Sequence, residues 1–183
     1  MTRPVRVLDI ATGAGDIPIS LWRMARRHNM AIELAGCDLS PRAVEFATRR
    51  AEAAGAEVRF FERDVIAAEL PEDYDAIVCS LFLHHLADEE AVRMLARMAR
   101  SSRRLVVVND LERSTPALLL AYAATRMATR SAIVHVDGPL SVRAAFTVAE
   151  AAAIARAAGL DAVRIQRRWP FRFVLNWWRD DRS

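Results

Sequence analysis

The chain has 183 residues, 53% of them hydrophobic, so it is long enough to form one globular domain with a sizeable core. No apolar run reaches the length needed to cross a membrane, and the N-terminus lacks the apolar stretch of a secretory signal. The formal net charge is only +3 and the basic residues, all Arg, are dispersed, which argues against a nucleic-acid-binding surface. We therefore expect a cytoplasmic protein without a membrane or nucleic-acid partner.

Strands and helices alternate along the first 110 residues. A short apolar run at 5–10 predicts a buried strand, and apolar residues at helical spacing predict a helix over 17–28. Further strands are predicted at 31–37, 57–61, 74–80 and 104–109, and further helices at 41–53 and 88–100. This order predicts a doubly wound parallel sheet with helices on both faces, whose ligand lies beyond the carboxyl ends of the strands.

The last part of the chain contains a helix followed by two strands. Thr147 and Glu150 form a capping box for the helix, and Gly159 ends it. The strands are predicted at 162–167 and 171–176 and pair as a hairpin.

A glycine turn, Ala11-Thr-Gly-Ala-Gly-Asp16, joins the first strand to the first helix. Its glycines let the backbone approach a ligand without a Cβ in the way. The turn has Pro18 where a dinucleotide fingerprint needs its third glycine, and the chain contains no Lys for a phosphate-binding P-loop. Asp9, at the strand end, suits a ligand with a cationic amine better than a pyrophosphate.

Asp9-Ile-Ala-Thr-Gly-Ala-Gly-Asp16 resembles motif I of the class I S-adenosylmethionine-dependent methyltransferases, with Ala11 in place of the usual first glycine. Segments 37–41, 62–65, 74–86 and 104–110 resemble their later motifs in the same order. The resemblance implies a Rossmann-like, mostly parallel seven-stranded sheet whose last strand is antiparallel. It also implies S-adenosylmethionine as the cofactor and S-adenosylhomocysteine as the product.

Three carboxylates are candidate cofactor ligands. Asp38 follows the glycine turn at the interval where a strand-end carboxylate meets a ribose diol, although it also suits a helix start beside Ser40 and Pro41. The resemblance assigns Asp64, with the Val65 backbone, to the adenine ring; otherwise Asp64 is a turn residue. Asp9 lies near the amino-acid end of the cofactor, orients the glycine turn, or does both. The full predicted cofactor-binding set is Asp9, Ala11, Thr12, Gly13, Gly15, Asp38, Leu39, Asp64, Val65, Ser80 and Leu81.

His84, His85 and Asp110 are the candidate catalytic residues. The pKa of a histidine lies nearest neutral pH, so His84 or His85 can take a proton from a phenol or an enol. The resemblance also allows one His to pack near the methionine part of the cofactor without acting as a base. Asp110, with Asn109, closes the fifth strand facing the same cleft, and is an alternative base or a ligand of a substrate hydroxyl. No metal site is predicted, because the Asp, Glu and His residues lack ligand spacing.

The segment 111–146 is predicted to be an insert that covers the substrate. Ser114-Thr115-Pro116 predicts a helix start, and Asp137-Gly138-Pro139 predicts a turn within a loop at 132–145. The insert resembles that of bacterial methyltransferases of natural-product pathways, which implies methyl transfer to O or C of a small phenolic or polyketide-like acceptor. Candidate acceptor contacts, or ordinary surface residues, are Tyr122, Arg126, His135, Asp137 and Arg143.

Two other functions remain open: a protein of this fold that binds the cofactor without activity, and an NAD-dependent enzyme on a related sheet. We expect a single domain over 1–183. The helical cover that usually precedes the first strand in this family is absent here, so we expect a truncated or variant start, or a second subunit that covers the site. An open rim and the aromatic residues between Trp169 and Trp178 favour a homodimer. Cys37 and Cys79 are predicted to be core thiols.

Overall fold

The computed structural model describes residues 3–120 and 139–179. Seven strands form one sheet in the order β3-β2-β1-β4-β5-β7-β6. The strands are β1 Val5–Ile10, β2 Ile32–Asp38, β3 Val58–Glu62, β4 Tyr74–Ser80, β5 Ser102–Leu111, β6 Arg164–Arg168 and β7 Arg172–Trp178. The first five strands are mutually parallel, while β7 runs antiparallel to both β5 and β6. The predicted fold class is confirmed, including the antiparallel last strand and the terminal hairpin.

The helices begin and end at the predicted signals. Those whose two ends both lie within the described residues are α1 Asp16–Arg27, α2 Pro41–Ala53, a short 3₁₀ helix Leu83–His85, α3 Asp88–Ser101 and α4 Val148–Ala157. The Ser40 hydroxyl caps α2 by accepting a hydrogen bond from the Ala43 N–H at 3.3 Å. Thr147 and Glu150 form the predicted capping box of α4, and Gly159 follows it with a φ of 79°.

The main core lies between the sheet and the α3–α4 layer. Side chains of β1, β4, β5 and β7 meet those of α3 there, and Leu8, Ile77, Met94, Val106 and Phe173 are fully buried. A smaller cluster under α1 joins Val7, Leu34 and Ala76. Because successive strand residues face opposite sides of a sheet, the two clusters use alternate positions of the same strands.

Two predictions about the later elements are wrong in part. Residues 139–144 are helical where a loop is expected. β5 extends two residues beyond the predicted strand at each end, and Asp110, which was predicted to close the strand, is its penultimate residue. The aromatic residues between Trp169 and Trp178 differ in exposure, because Phe173 is fully buried whereas Trp169 is 93% exposed.

Cys37 and Cys79 are free, buried thiols, as predicted. Both pair in register with Ile10, one from β2 and the other from β4. Two strand spacings therefore separate them, about 9–10 Å, which exceeds the reach of a disulfide. In the described part of the chain, no helix is long and apolar enough to span a membrane.

Candidate active site

The glycine turn adopts a left-handed backbone at three positions, Ala11 (φ 51°), Gly13 (φ 54°) and Gly15 (φ 74°). A Cβ on Gly15 would lie 2.8 Å from the Phe60 ring, so this position is closed to any side chain. A Cβ on Gly13 would meet nothing within 4 Å, so the turn exposes open backbone on that side. Ala11 holds a conformation that normally favours glycine and so carries some backbone strain.

Asp38 ends β2 and faces the turn. Its Oδ2 accepts a hydrogen bond from the Gly13 N–H and its Oδ1 accepts one from the Ser40 N–H, both at 2.9 Å. The carboxylate is thus held in one orientation, and each oxygen retains a lone pair for a further donor. The helix-start alternative is correct in part, because Asp38 supports the turn before α2 while Ser40 provides the cap, and the ribose contact stays a prediction.

A cavity of about 140 Å³ lies beside this carboxylate. Five of the predicted cofactor-binding residues line it, together with Arg63, Ile66 and Phe82. Those five are Ala11, Asp38, Leu39, Asp64 and Val65. The structure therefore brings together residues from three separate strand ends, at the edge where an α/β sheet binds its ligand.

Asp64 serves a turn as well as lining the cavity. Its Oδ1 accepts hydrogen bonds from the Ile66 and Ala67 N–H groups, both at 2.9 Å. These bonds, that of Ala67 first, lower the pKa of the Asp64 carboxyl from its ordinary value, so it stays ionised near neutral pH. Its turn role is therefore seen directly, and the adenine contact stays a prediction.

Arg63 is a cavity residue that the sequence analysis missed. Its Nε is buried and has no hydrogen-bond partner among the described residues. A buried donor without a partner is uncommon, and this one belongs to a side chain that lines the cavity beside Asp38. The only sequence signal was its position in the Glu62-Arg-Asp-Val65 motif.

Asp9 is buried beneath the glycine turn and accepts a hydrogen bond from the Thr12 hydroxyl at 2.5 Å. Burial raises the pKa of Asp9 to about 7, with the hydrogen bond opposing this rise and the charge of Asp38 adding to it. Asp9 therefore orients the turn through the Thr12 side chain.

We expect the stability of the Asp9→Asn variant, relative to that of the parent chain, to increase as the pH rises. The native carboxyl titrates above its unfolded counterpart, so its contribution to stability is full at low pH and is lost between about pH 4 and pH 7. Asn cannot ionise but still accepts from Thr12. Urea unfolding at about pH 4 and about pH 8 should show the stability difference shifting toward the variant by roughly 4 kcal/mol, because the shift of about three pKa units contributes about 1.4 kcal/mol per unit. A difference independent of pH would contradict this assignment.

His84 and Asp110 form a buried pair at the end of β5. His84 Nδ1 lies 2.6 Å from Asp110 Oδ1, and the two residues are 6% and 1% exposed. Asp110 also accepts hydrogen bonds from the His84 N–H at 3.3 Å and from its own neighbour, the Leu111 N–H, at 2.6 Å. Both carboxylate oxygens of Asp110 thus contact His84, and the side chain is buried. Asp110 is therefore not free to act alone as a base on an acceptor.

His85 lies beside this pair but is exposed, with its ring centre 4.1 Å from that of His84. Partial desolvation by the surrounding protein atoms and the neighbouring His84 lower the pKa of His85, although Asp110 opposes the shift. Asn109 faces away from Asp110, because its amide donates to the Ser80 hydroxyl at 2.9 Å on the opposite side of the sheet. The expectation that both residues face one cleft is therefore wrong.

The remaining predicted residues are only partly placed. Ser80 and Leu81 are held by Asn109 and do not line the cavity. Arg143 is exposed and lines a separate cavity of about 330 Å³ with Arg113. The other acceptor candidates, Tyr122, Arg126, His135 and Asp137, lie outside the described residues.

Comparison with known families settles the class of protein. The profile of a family described as a methyltransferase domain matches residues 7–104. The chain belongs to this family. The resemblance to class I S-adenosylmethionine-dependent methyltransferases is confirmed, and S-adenosylmethionine is the cofactor of that class.

Individual proteins agree with this assignment. The methyltransferase domain is 38% identical to a demethylmenaquinone methyltransferase of Thermus thermophilus over 107 residues, which cover 57% of this chain and 47% of the relative. It is 29% identical to a ubiquinone biosynthesis O-methyltransferase of Xanthomonas euvesicatoria over 119 residues, covering 63% of this chain and 47% of the relative. The chain thus spans about half the length of these relatives.

A solved structure shares the fold. PigF with SAH superposes with a TM-score of 0.71 at 21% identity, covering 94% of this chain and 50% of that one. At this identity the match supports the arrangement of strands and helices alone.

Proposed function

We propose that this methyltransferase domain transfers a methyl group from S-adenosylmethionine to an oxygen or carbon of a small phenolic or polyketide-like acceptor. The observation that carries the cofactor assignment is the strand-edge cavity, which unites the glycine turn with Asp38 and Asp64. The matched relatives are about twice as long as the segment that matches this chain. The complete methyl-transfer reaction is therefore part of the proposal.

The residues around the cavity fit an adenosine group. Asp38 is oriented by two backbone donors and can still accept hydrogen bonds from two vicinal hydroxyls. The Val65 and Phe82 side chains provide apolar wall, and the buried Arg63 Nε supplies an unused donor. Gly13 leaves the turn open where a side chain would obstruct a ligand.

When bound, S-adenosylmethionine supplies a methyl group already activated by its sulfonium. The protein then has to hold the acceptor in line and remove its proton. We assign the proton to His84 Nε2, since Asp110 accepts the Nδ1–H of the neutral ring and stabilises the imidazolium that forms. Asp110 is a positioning residue in this scheme, and His85 is a neighbour without a carboxylate partner among the described residues.

The acceptor class is supported by the resemblance of the insert and by the two relatives, whose names identify quinone-pathway methyltransferases. The single domain over 1–183 with its covering insert, the homodimer and the cytoplasmic location stay predictions.

Calorimetric titration followed by a transfer assay tests the proposal. The chain should bind S-adenosylhomocysteine and give no heat with NAD. It should then move a labelled methyl group from S-adenosylmethionine to a member of a panel of phenols and enolic polyketide analogues. Binding of NAD without a response to S-adenosylhomocysteine would overturn the cofactor assignment. Cofactor binding without transfer to any panel member would instead support a binding protein of this fold.

A further inference from the structure

The tip of the β6–β7 hairpin, residues 168–172, carries an exposed aromatic side chain. Trp169 is 93% exposed, more than any other large hydrophobic residue of the described chain. Trp is normally well buried, because an exposed indole ring leaves a large apolar surface in contact with water. A Trp projecting from a turn therefore points to an interaction surface rather than to packing.

The charge around this ring is positive. Arg168 and Arg172 face each other across the hairpin as register partners directly beside Trp169. Arg167 is neutralised by Glu112 at 2.7 Å, whereas Arg168 donates to the neutral Gln166 at 2.6 Å. Within residues 3–120 and 139–179, no carboxylate forms an ion pair with Arg168 or Arg172. Arg168 is exposed and Arg172 half-exposed, so the hairpin tip combines two guanidinium groups that lack a carboxylate partner among the described residues with one exposed indole.

The hairpin tip lies at the same sheet edge as the candidate active site. Arg172 pairs with Leu111, and the Glu112 N–H donates to the Phe171 carbonyl at 2.9 Å. Asp110 is the register partner of Phe173 on the adjacent strand. Whatever binds the hairpin tip therefore faces the edge that carries the His84–Asp110 pair.

We propose that the hairpin tip docks this domain on the surface of an anionic lipid bilayer. Indole rings prefer the headgroup level of a membrane, and guanidinium groups bind lipid phosphates there. A convex turn with one aromatic fits such a surface better than it fits a nucleic acid strand, which is held in a groove with successive stacking rings. This proposal departs from the sequence expectation of no membrane partner, because the exposure of this tip is visible only in the structure. The proposal is independent of the acceptor.

Sedimentation with vesicles tests the docking. The chain should partition onto vesicles of equal parts phosphatidylcholine and phosphatidylglycerol, and much less onto phosphatidylcholine alone, with binding weakened by salt. The double variant R168Q/R172Q should lose roughly 30-fold in partitioning, since each Arg near an anionic surface contributes about fivefold. The matched variant R23Q/R27Q removes two exposed Arg of α1 and should bind within about twofold of the parent chain.

Tryptophan emission locates the contact. Emission should shift to the blue when anionic vesicles are added, and the shift should vanish in W169F. It should persist in W178F, which replaces a 60% exposed Trp at the other end of β7. The proposal is overturned if the parent chain does not prefer anionic vesicles, if R23Q/R27Q loses as much binding as R168Q/R172Q, or if the shift survives in W169F. Retention of single-stranded RNA that R168Q/R172Q abolishes, without vesicle binding, would assign the hairpin tip to a nucleic acid instead. Circular dichroism of each variant confirms that it is folded.

Discussion

Replacing Asp110 by Asn should lower kcat for methyl transfer by about 10²-fold or more while the cofactor still binds. The backbone donors of Leu111 and His84 already contact the Asp110 carboxylate, so an Asn side chain would direct its oxygen to them and its NH₂ to His84 Nδ1. That arrangement favours the tautomer with a proton on Nε2, which cannot take one from the acceptor. It also removes the charge that stabilises the imidazolium.

Steady-state kinetics with the acceptor found in the panel, together with calorimetric Kd values for S-adenosylhomocysteine, measure this effect. His84→Gln should lose a similar factor, and the two changes combined should cost little more than either alone. His85→Gln is the control and should change kcat by less than about fivefold, since His85 has no carboxylate to stabilise its charged form. An Asp110→Asn variant with unchanged kcat, or one that loses cofactor affinity in proportion, would refute the dyad.

Asp38→Ala should weaken cofactor binding by about 1–3 kcal/mol, or roughly 5- to 150-fold in Kd. The substitution removes the acceptor for the ribose hydroxyls and frees the Gly13 N–H that the carboxylate now holds at 2.9 Å. Asp38→Asn keeps one oxygen for Gly13 and should lie between the parent chain and the Ala variant.

Calorimetric titration with S-adenosylhomocysteine gives the three Kd values. Ser40→Ala serves as the matched control, because it removes the cap of α2 and leaves the Asp38 carboxylate and both its backbone donors in place. It should cost about 1 kcal/mol of stability without changing Kd. Equal Kd values for the parent chain and Asp38→Ala would remove Asp38 from the cofactor site.

The sheet and its ligand edge were predictable because their signals are local. Buried parallel strands appear as short apolar runs. The polar residue or glycine turn that ends each run is visible directly in the sequence. Asp38 was found through its spacing from the glycine turn. Its second role, as acceptor for Gly13, depends on how the turn folds back and has no sequence signal.

Features that depend on distant residues were missed. His84 and Asp110 were each candidates, but 26 positions separate them, and only the neighbouring arrangement of β4 and β5 shows that their side chains are in contact. The need for glycine at position 36 comes from Phe60, whose ring would lie 2.7 Å from an added Cβ. The orphan donor of Arg63 is likewise set by burial in three dimensions.

The two thiols on either side of Ile10 allow the opening of the central strands to be measured by cysteine alkylation. Burial raises the pKa of Cys37 to about 12 and also raises that of Cys79, so neither sulfur reacts with an alkylating reagent while the sheet is closed. Alkylation rates would therefore report how often β2 and β4 separate from β1, the event that exposes both sulfurs. A ligand that binds across the strand ends should slow the alkylation of both cysteines together.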